Sequence, residues 1–270
     1  LGRRRTTRMS PFPPGLEPVE DLNRSVWVRE ALKEWPSGRR FIVRDLVPPV
    51  FEAYARILHR PLLLGDGREP NGTWGERAAE LGRTLRAETS LRELEEKGSR
   101  EDADDRWSLN EGSLSVPEAS MLSSVLAAHT SDPSACWFAM WSGWGELSGG
   151  TVSLYPVGAP ISELRMRWRT RLEGKRARRE AARFRTFSLL GGGRSYLLFE
   201  GAVEDAARFD LGYGFQSPAL WWPEDRAWFV HTEIDGSSTY LGGTHSMIDR
   251  LVGEQILESL HVQPGTPAAL

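Results

Sequence analysis

Apolar residues return at helical spacing in several stretches of the chain. Leu22, Val26, Ala31 and Leu32 lie near one face of a segment from Asp21 to Trp35, and Pro36-Ser37-Gly38 closes it. Thr73-Trp74-Gly75-Glu76 has the form of a capping box, with Trp74, Ala78, Leu81 and Leu85 following at helical spacing. Ser90-Leu91-Arg92-Glu93 repeats the signal for a short helix. Ser115 to Glu118 opens another, through Leu122, Val125, Leu126 and His129. Near the end, Ser246 with Asp249 caps a helix carrying Ile248, Leu251, Val252, Ile256 and Leu260.

Between these stretches the pattern shifts to strands. Phe41-Ile42-Val43 reads as a short one. After Pro48-Pro49, Phe51, Ala55 and Leu58 fit a helix, but the alternation of Phe51, Ala53, Ala55 and Ile57 favours a strand. CWFAMW (136–141) is an apolar run bounded by Gly143 and Gly145, and SYLLFE follows the triple glycine Gly191 to Gly193. AWFVHTEID, Ala227 to Asp235, supplies a further strand. Irregular alternation of helices and strands, with strand pairs late in the chain, predicts an α+β fold: one domain, a mostly antiparallel or mixed sheet, and the last helix packed on it. Residues 1–18, basic and then Pro/Gly-rich, read as a disordered tail. The domain runs over 19–265, with a charged loop near 97–114 and a basic segment near 162–187.

Composition alters this picture little. The 270 residues are 40% apolar and 26% charged, as a globular domain requires, and the net charge of −3 argues against whole-surface binding of nucleic acid. The one cysteine, Cys136, sits in an apolar strand and reads as buried; no intrachain disulfide can form. Without an apolar run near about 18 residues or a secretory pattern, the expectation is a cytoplasmic protein with no membrane span. Leu1 is an unusual first residue, and Met9 is the alternative start. The 31 arginines against 3 lysines fit a GC-rich genome, whereas the 11 tryptophans each bring an N–H that needs a partner.

The candidate chemistry follows from strand alternation. If Ala227 to Asp235 is extended, Trp228, Val230, Thr232 and Ile234 share one face, and Phe229, His231, Glu233 and Asp235 the other. An imidazole and a carboxylate two residues apart can converge on one ion, so His231 and Glu233 form half of a divalent-metal site, with His245 as the nearest third ligand. Glu233 and Asp235 can instead act as paired carboxylates, one held protonated by the other's charge. The plain alternative is a half-exposed strand with its polar face in water. Glu224, Asp225 and Arg226, just before this strand, read as a local ion pair at a turn.

Trp137, Trp141 and Trp228 read as core. Trp144, between glycines, and Trp221-Trp222, before a proline, read as turn residues lining a binding pocket. From Arg165 to Arg185 there are ten basic residues and two acids, so Arg176, Arg178 and Arg179 are candidates for gripping phosphates or an acidic partner. The GGGR turn does not continue as a phosphate loop does, and no nucleophile elbow accompanies Ser195.

Three blocks, VPPVFEAYARILHRP, AAHTSDPSACWFAMWSGWG and SPALWWPEDRAWFVHTEIDGSSTYLGG, resemble a protein family common in actinobacterial genomes. That resemblance brings no activity and no catalytic residues. The α+β makeup and Trp-rich strands are also similar to SUKH-type immunity proteins, which would imply binding and neutralising a toxin. The expected function is therefore a non-enzymatic binding protein with a protein partner and no cofactor. A metal-assisted hydrolase on His231 and Glu233, and nucleic-acid or acidic-partner binding through Arg165 to Arg185, are the alternatives.

Overall fold

The computed structural model describes residues 12–32, 34, 36–63, 72–95, 107–109, 111–144, 147, 178–211 and 214–269. Strands in chain order are β1 (Ala53–Leu58), β2 (Pro61–Leu63), β3 (Trp107–Leu109), β4 (Cys136–Trp141), β5 (Phe187–Leu189), β6 (Arg194–Gly201), β7 (Leu220–Pro223), β8 (Phe229–Thr232), β9 (Ser238–Gly243) and β10 (Ser259–Val262). Helices are α1 (Val26–Ala31), α2 (Val43–Leu46), α3 (Trp74–Glu80), α4 (Leu91–Glu95), α5 (Val116–Ala127) and α6 (His245–Val252). Eight strands form one sheet in the order β10-β1-β9-β8-β7-β4-β6-β5, every pairing antiparallel, while β2 and β3 pair separately. This is a single α+β domain.

Both faces of the large sheet are covered. On one, Ile57, Phe138, Leu197, Phe199, Val230 and Leu241 pack against α5, α6 and the 3₁₀ turn Val203–Arg208. On the other, Tyr54, Trp137, Tyr196, Leu198, Phe229 and Tyr240 meet Val28 of α1, Leu32 just after it, Val43 and Leu46 of α2, and Val47. Burial of large apolar side chains on two sides is the main drive for folding here, each such side chain contributing about 1.5–3 kcal/mol.

Helix starts written in local chemistry form where expected. Thr73 Oγ1 accepts from the Glu76 N–H at 3.1 Å while Glu76 accepts from the Thr73 N–H at 2.8 Å. Ser90 with Glu93 and Ser115 with Glu118 repeat the arrangement. The strand after Pro49 forms as β1, and CWFAMW and SYLLFE form β4 and most of β6.

Other expectations need correction. Phe41 to Val43 is not a strand: Asp45 accepts from the Ile42 N–H at 2.9 Å and grips Arg39 through two hydrogen bonds, which turns the chain into α2. α6 begins at His245, capped by Thr244 instead of Ser246, and ends at Val252 with Gly253 as its C-cap, so Leu260 belongs to β10. Residues 12–18 are not a disordered tail, since Phe12 and Leu16 are buried and the Val19 N–H donates to the Leu198 carbonyl at 2.7 Å. At the other end, the Ala268 N–H donates to the Phe41 carbonyl, carrying the packed body past 265. Of the loop near 97–114, residues 107–109 form β3 and Ser113 and Leu114 are buried; residues 1–11, 96–106 and 148–177, including Arg165 to Arg171 and Arg176, lie outside the described residues.

β8 stops at Thr232, three residues before the expected end. Asp235-Gly236 is a turn-forming pair, and the Gly236 N–H donates to the Glu233 carbonyl at 2.9 Å. Alternation fails from Glu233 onward, and Ile234 lands in the cluster of Phe229 instead of that of Val230. Gly112 packs under this turn with φ of +71°; a Cβ there would sit 2.4 Å from the Ile234 carbonyl oxygen.

Candidate functional site

His231 leaves the sheet on the face covered by α2. Its Nδ1 lies 2.6 Å from the Leu46 carbonyl, an acceptor only, so Nδ1 carries the hydrogen and donates it. Nε2 faces Glu233 Oε2 at 3.5 Å, beyond good hydrogen-bond range. Glu233 accepts instead from Arg194 Nη2 at 3.0 Å, and the same nitrogen donates to Asp235 at 2.7 Å. Arg194 opens β6 and its guanidinium lies 5.9 Å from the centroid of the Trp141 ring.

Burial decides what this row can do. His231 is 1% exposed and Glu233 4%, so the expectation of a half-exposed strand with a polar face in water is wrong. Burial pushes the Glu233 carboxyl upward, but His231 and Arg194 outweigh it and hold the group below its ordinary range. Burial works against the charge of Arg194, yet Glu233 and Asp235 raise its pKa above the ordinary value. Behind them burial pushes Tyr196 far up, so its hydroxyl stays neutral. A guanidinium bridging Glu233 and Asp235 replaces the expected shared proton with a shared cation. Asp235, 74% exposed, is the member open to solvent.

His245 does not join them. It starts α6 beyond Gly243, while His231 pairs with Tyr240 and Glu233 lies past the other end of β8. At about 3.3 Å per strand residue the separation exceeds ~10 Å. Among the described residues, no group of three or more His, Cys, Asp or Glu is placed to hold a metal ion.

Trp221 and Trp222 are not turn residues. Both lie in β7, 0% and 1% exposed, on opposite faces of the sheet. Trp221 meets Trp228 edge-on at 5.8 Å and Trp222 stacks on Phe229 at 5.9 Å. The proline after them has the opposite effect to the one expected: it biases the preceding residue toward extended backbone, and the strand ends on it. Trp144 is half-buried, edge-on to Trp141 at 5.4 Å, so it sits at the Arg194 end of the sheet. Its indole nitrogen has no hydrogen-bond partner among the described residues. Trp137 and Trp228 are core, as expected, and Cys136 is fully buried with its thiol pushed well up. Arg178 and Arg179 are exposed on a helical turn, 178–181. A cleft of about 510 Å³ between α1 and α2 is lined by Leu32, Glu34, Ser37, Arg39, Arg44 and Asp45 among others, and none of the expected site residues among the described residues lines it.

Two features escaped sequence reading. Arg56 is wholly buried: Nε donates to Ser238 and Nη1 to the carbonyls of Ala87 and Thr89. The only hint was a charge on the apolar alternation of β1. The second is the turn between β7 and β8, read as a local ion pair. Glu224 instead accepts from the Trp137 indole at 2.7 Å and pairs with Arg24 at 2.6 Å. Asp225 accepts from the Ser131 N–H and hydroxyl, both at 2.7 Å. Arg226 makes no ion pair among the described residues; its guanidinium lies 5.3 Å from the centroid of Trp27. Trp27 in turn stands edge-on to Phe229 at 5.6 Å and Trp222 at 6.1 Å. Arg226 has φ of +57°, a left-handed conformation that costs a side-chain-bearing residue about 1–2 kcal/mol. A surface cation–π contact returns about 0.5–1 kcal/mol, so Arg226 adds nothing net to the fold.

Comparison with family models, with curated proteins and with solved structures finds no match to this chain.

Proposed function

We propose that this chain is a non-enzymatic, cytoplasmic binding protein with a protein partner. The observation that carries the reading is how His231 of β8 and Glu233, just past its end, are used. His231 Nδ1 is engaged by the Leu46 carbonyl and Glu233 by Arg194, at 1% and 4% exposure, beneath α2. A general base must come within hydrogen-bond reach of its substrate, and a metal site needs a third ligand beside this pair. Their use in tying α2 and β6 to β8 supports a scaffold whose function lies on its surface. The lone buried cysteine agrees with a reducing compartment. Among the described residues no helix is long and apolar enough to cross a membrane.

Metal analysis tests this reading against a hydrolase built on His231 and Glu233. Protein purified without a chelating tag is expected to hold no stoichiometric zinc, manganese or iron, and its Tm to stay unchanged when those ions are added. One bound metal per chain, lost in His231→Asn or Glu233→Gln, would overturn it.

A further inference from the structure

The β7–β8 turn assigns its charged residues unequally. Glu224 and Asp225 are taken up in holding the turn to Trp137, Arg24 and Ser131, so their carboxylates are committed within the fold. Arg226 is exposed, sits in a left-handed conformation, and rests on a half-buried tryptophan without any counter-ion among the described residues. The Trp27 indole N–H is buried with no hydrogen-bond partner among the described residues, and the residue before it, Val26, is 39% exposed. Trp27 is anchored from below by Trp222 and Phe229, and arginine and tryptophan are among the residue types enriched where binding energy concentrates at protein interfaces.

We infer that the Arg226–Trp27 ledge docks an acidic segment of a partner protein, with a carboxylate pairing Arg226 and an adjacent apolar side chain covering the open part of Trp27. This rests on the reading of the chain as a binding protein and gives that partner a chemistry. Charge selects a carboxylate over a nucleic acid. Arg226 offers one guanidinium, the complement of one carboxylate, whereas a polyphosphate backbone is held by several cations, and the neighbouring Glu224 carboxylate is already neutralised by Arg24. A planar guanidinium meets a carboxylate through two parallel hydrogen bonds, and the ring beneath keeps it flat and partly dehydrated.

The test uses the full chain and short immobilised peptides carrying Asp or Glu next to Leu or Phe, with matched Asn or Gln peptides as controls. Wild type is expected to be retained by the acidic peptides and not by the controls. Arg226→Gly should weaken retention at least about tenfold while moving Tm by less than about 3 °C, because glycine accepts the left-handed backbone. Arg226→Lys, which keeps the charge without the planar fork, should fall between. Equal retention of wild type and Arg226→Gly would overturn the ledge and leave a binding protein with another surface. Absence of retention by any acidic peptide would also overturn it. So would an Arg226-dependent dimer of the chain, or Arg226-dependent retention by single-stranded DNA in place of the peptides. Stoichiometric metal on His231 and Glu233 is a separate result and would remove the underlying reading instead.

Discussion

Replacing Arg194 with methionine keeps most of the side chain's volume and removes its charge. In the native protein that charge sits 3.0 Å from Glu233, which is 4% exposed, and 2.7 Å from Asp235, which is 74% exposed. Asp235 regains water when the guanidinium leaves; Glu233 cannot. Breaking one side of a buried pair costs about 3–5 kcal/mol, and the partial exposure of Arg194 lowers the expectation to about 2–4 kcal/mol. For a chain of this size that is a fall in Tm of about 5–15 °C. The pH dependence is more diagnostic. Native Glu233 sits below the ordinary carboxylate value, so its contribution is fully present above about pH 4.3 and is lost as pH falls through its depressed value. Without Arg194, its hydrogen bond and its charge no longer lower the carboxyl while burial still raises it, so the group rises from its native position. Arg194→Met should then lose less stability than the wild type as pH falls from about 5 toward 3. Urea unfolding across that range reads both slopes, and Arg194→Met with Glu233→Gln should recover more than half of the loss. A variant with the wild-type pH slope, or one destabilised by less than about 1 kcal/mol, would refute the claim that Glu233 is a buried anion held by Arg194.

Cys136, buried and with its thiol pushed up, should resist a thiol reagent in the native protein and react as one equivalent in guanidinium; native labelling would contradict its place in the core. Gly112→Ala meets the Ile234 carbonyl at 2.4 Å on a left-handed backbone, so a loss of about 2 kcal/mol or more is expected in thermal unfolding. Trp221→Ala should cost about 3–5 kcal/mol, against less than about 1.5 kcal/mol for Trp144→Phe, which keeps the ring against Trp141. Similar losses for the two would return Trp221 to the surface.

What was legible in the chain was local. The starts of α3, α4 and α5 were readable because each capping pair spans three residues and needs nothing else. β4 was readable because six apolar residues in a row have few other uses. What failed depended on partners far along the chain. The polar face of β8 reads as solvent-facing until α2, some 185 residues earlier, covers it. Arg194 stands 39 residues from Glu233, and no spacing rule links them. Trp221 and Trp222 were misplaced by treating a proline as a turn signal when it also ends strands. Asp235-Gly236 was the local signal passed over: read as a turn, it places Ile234 correctly and ends β8 before its acids.

The central claim is that His231 of β8 and the acids just after it brace the fold instead of doing chemistry. Amide hydrogen exchange of α2 in His231→Leu tests this most directly. The leucine removes the donor to the buried Leu46 carbonyl, which costs about 1–3 kcal/mol, and the loss should appear locally. Amides of residues 43–47 are expected to exchange about tenfold or more faster than in the wild type, with those of β4 and β6 unchanged. Unaltered protection across α2 would contradict the account.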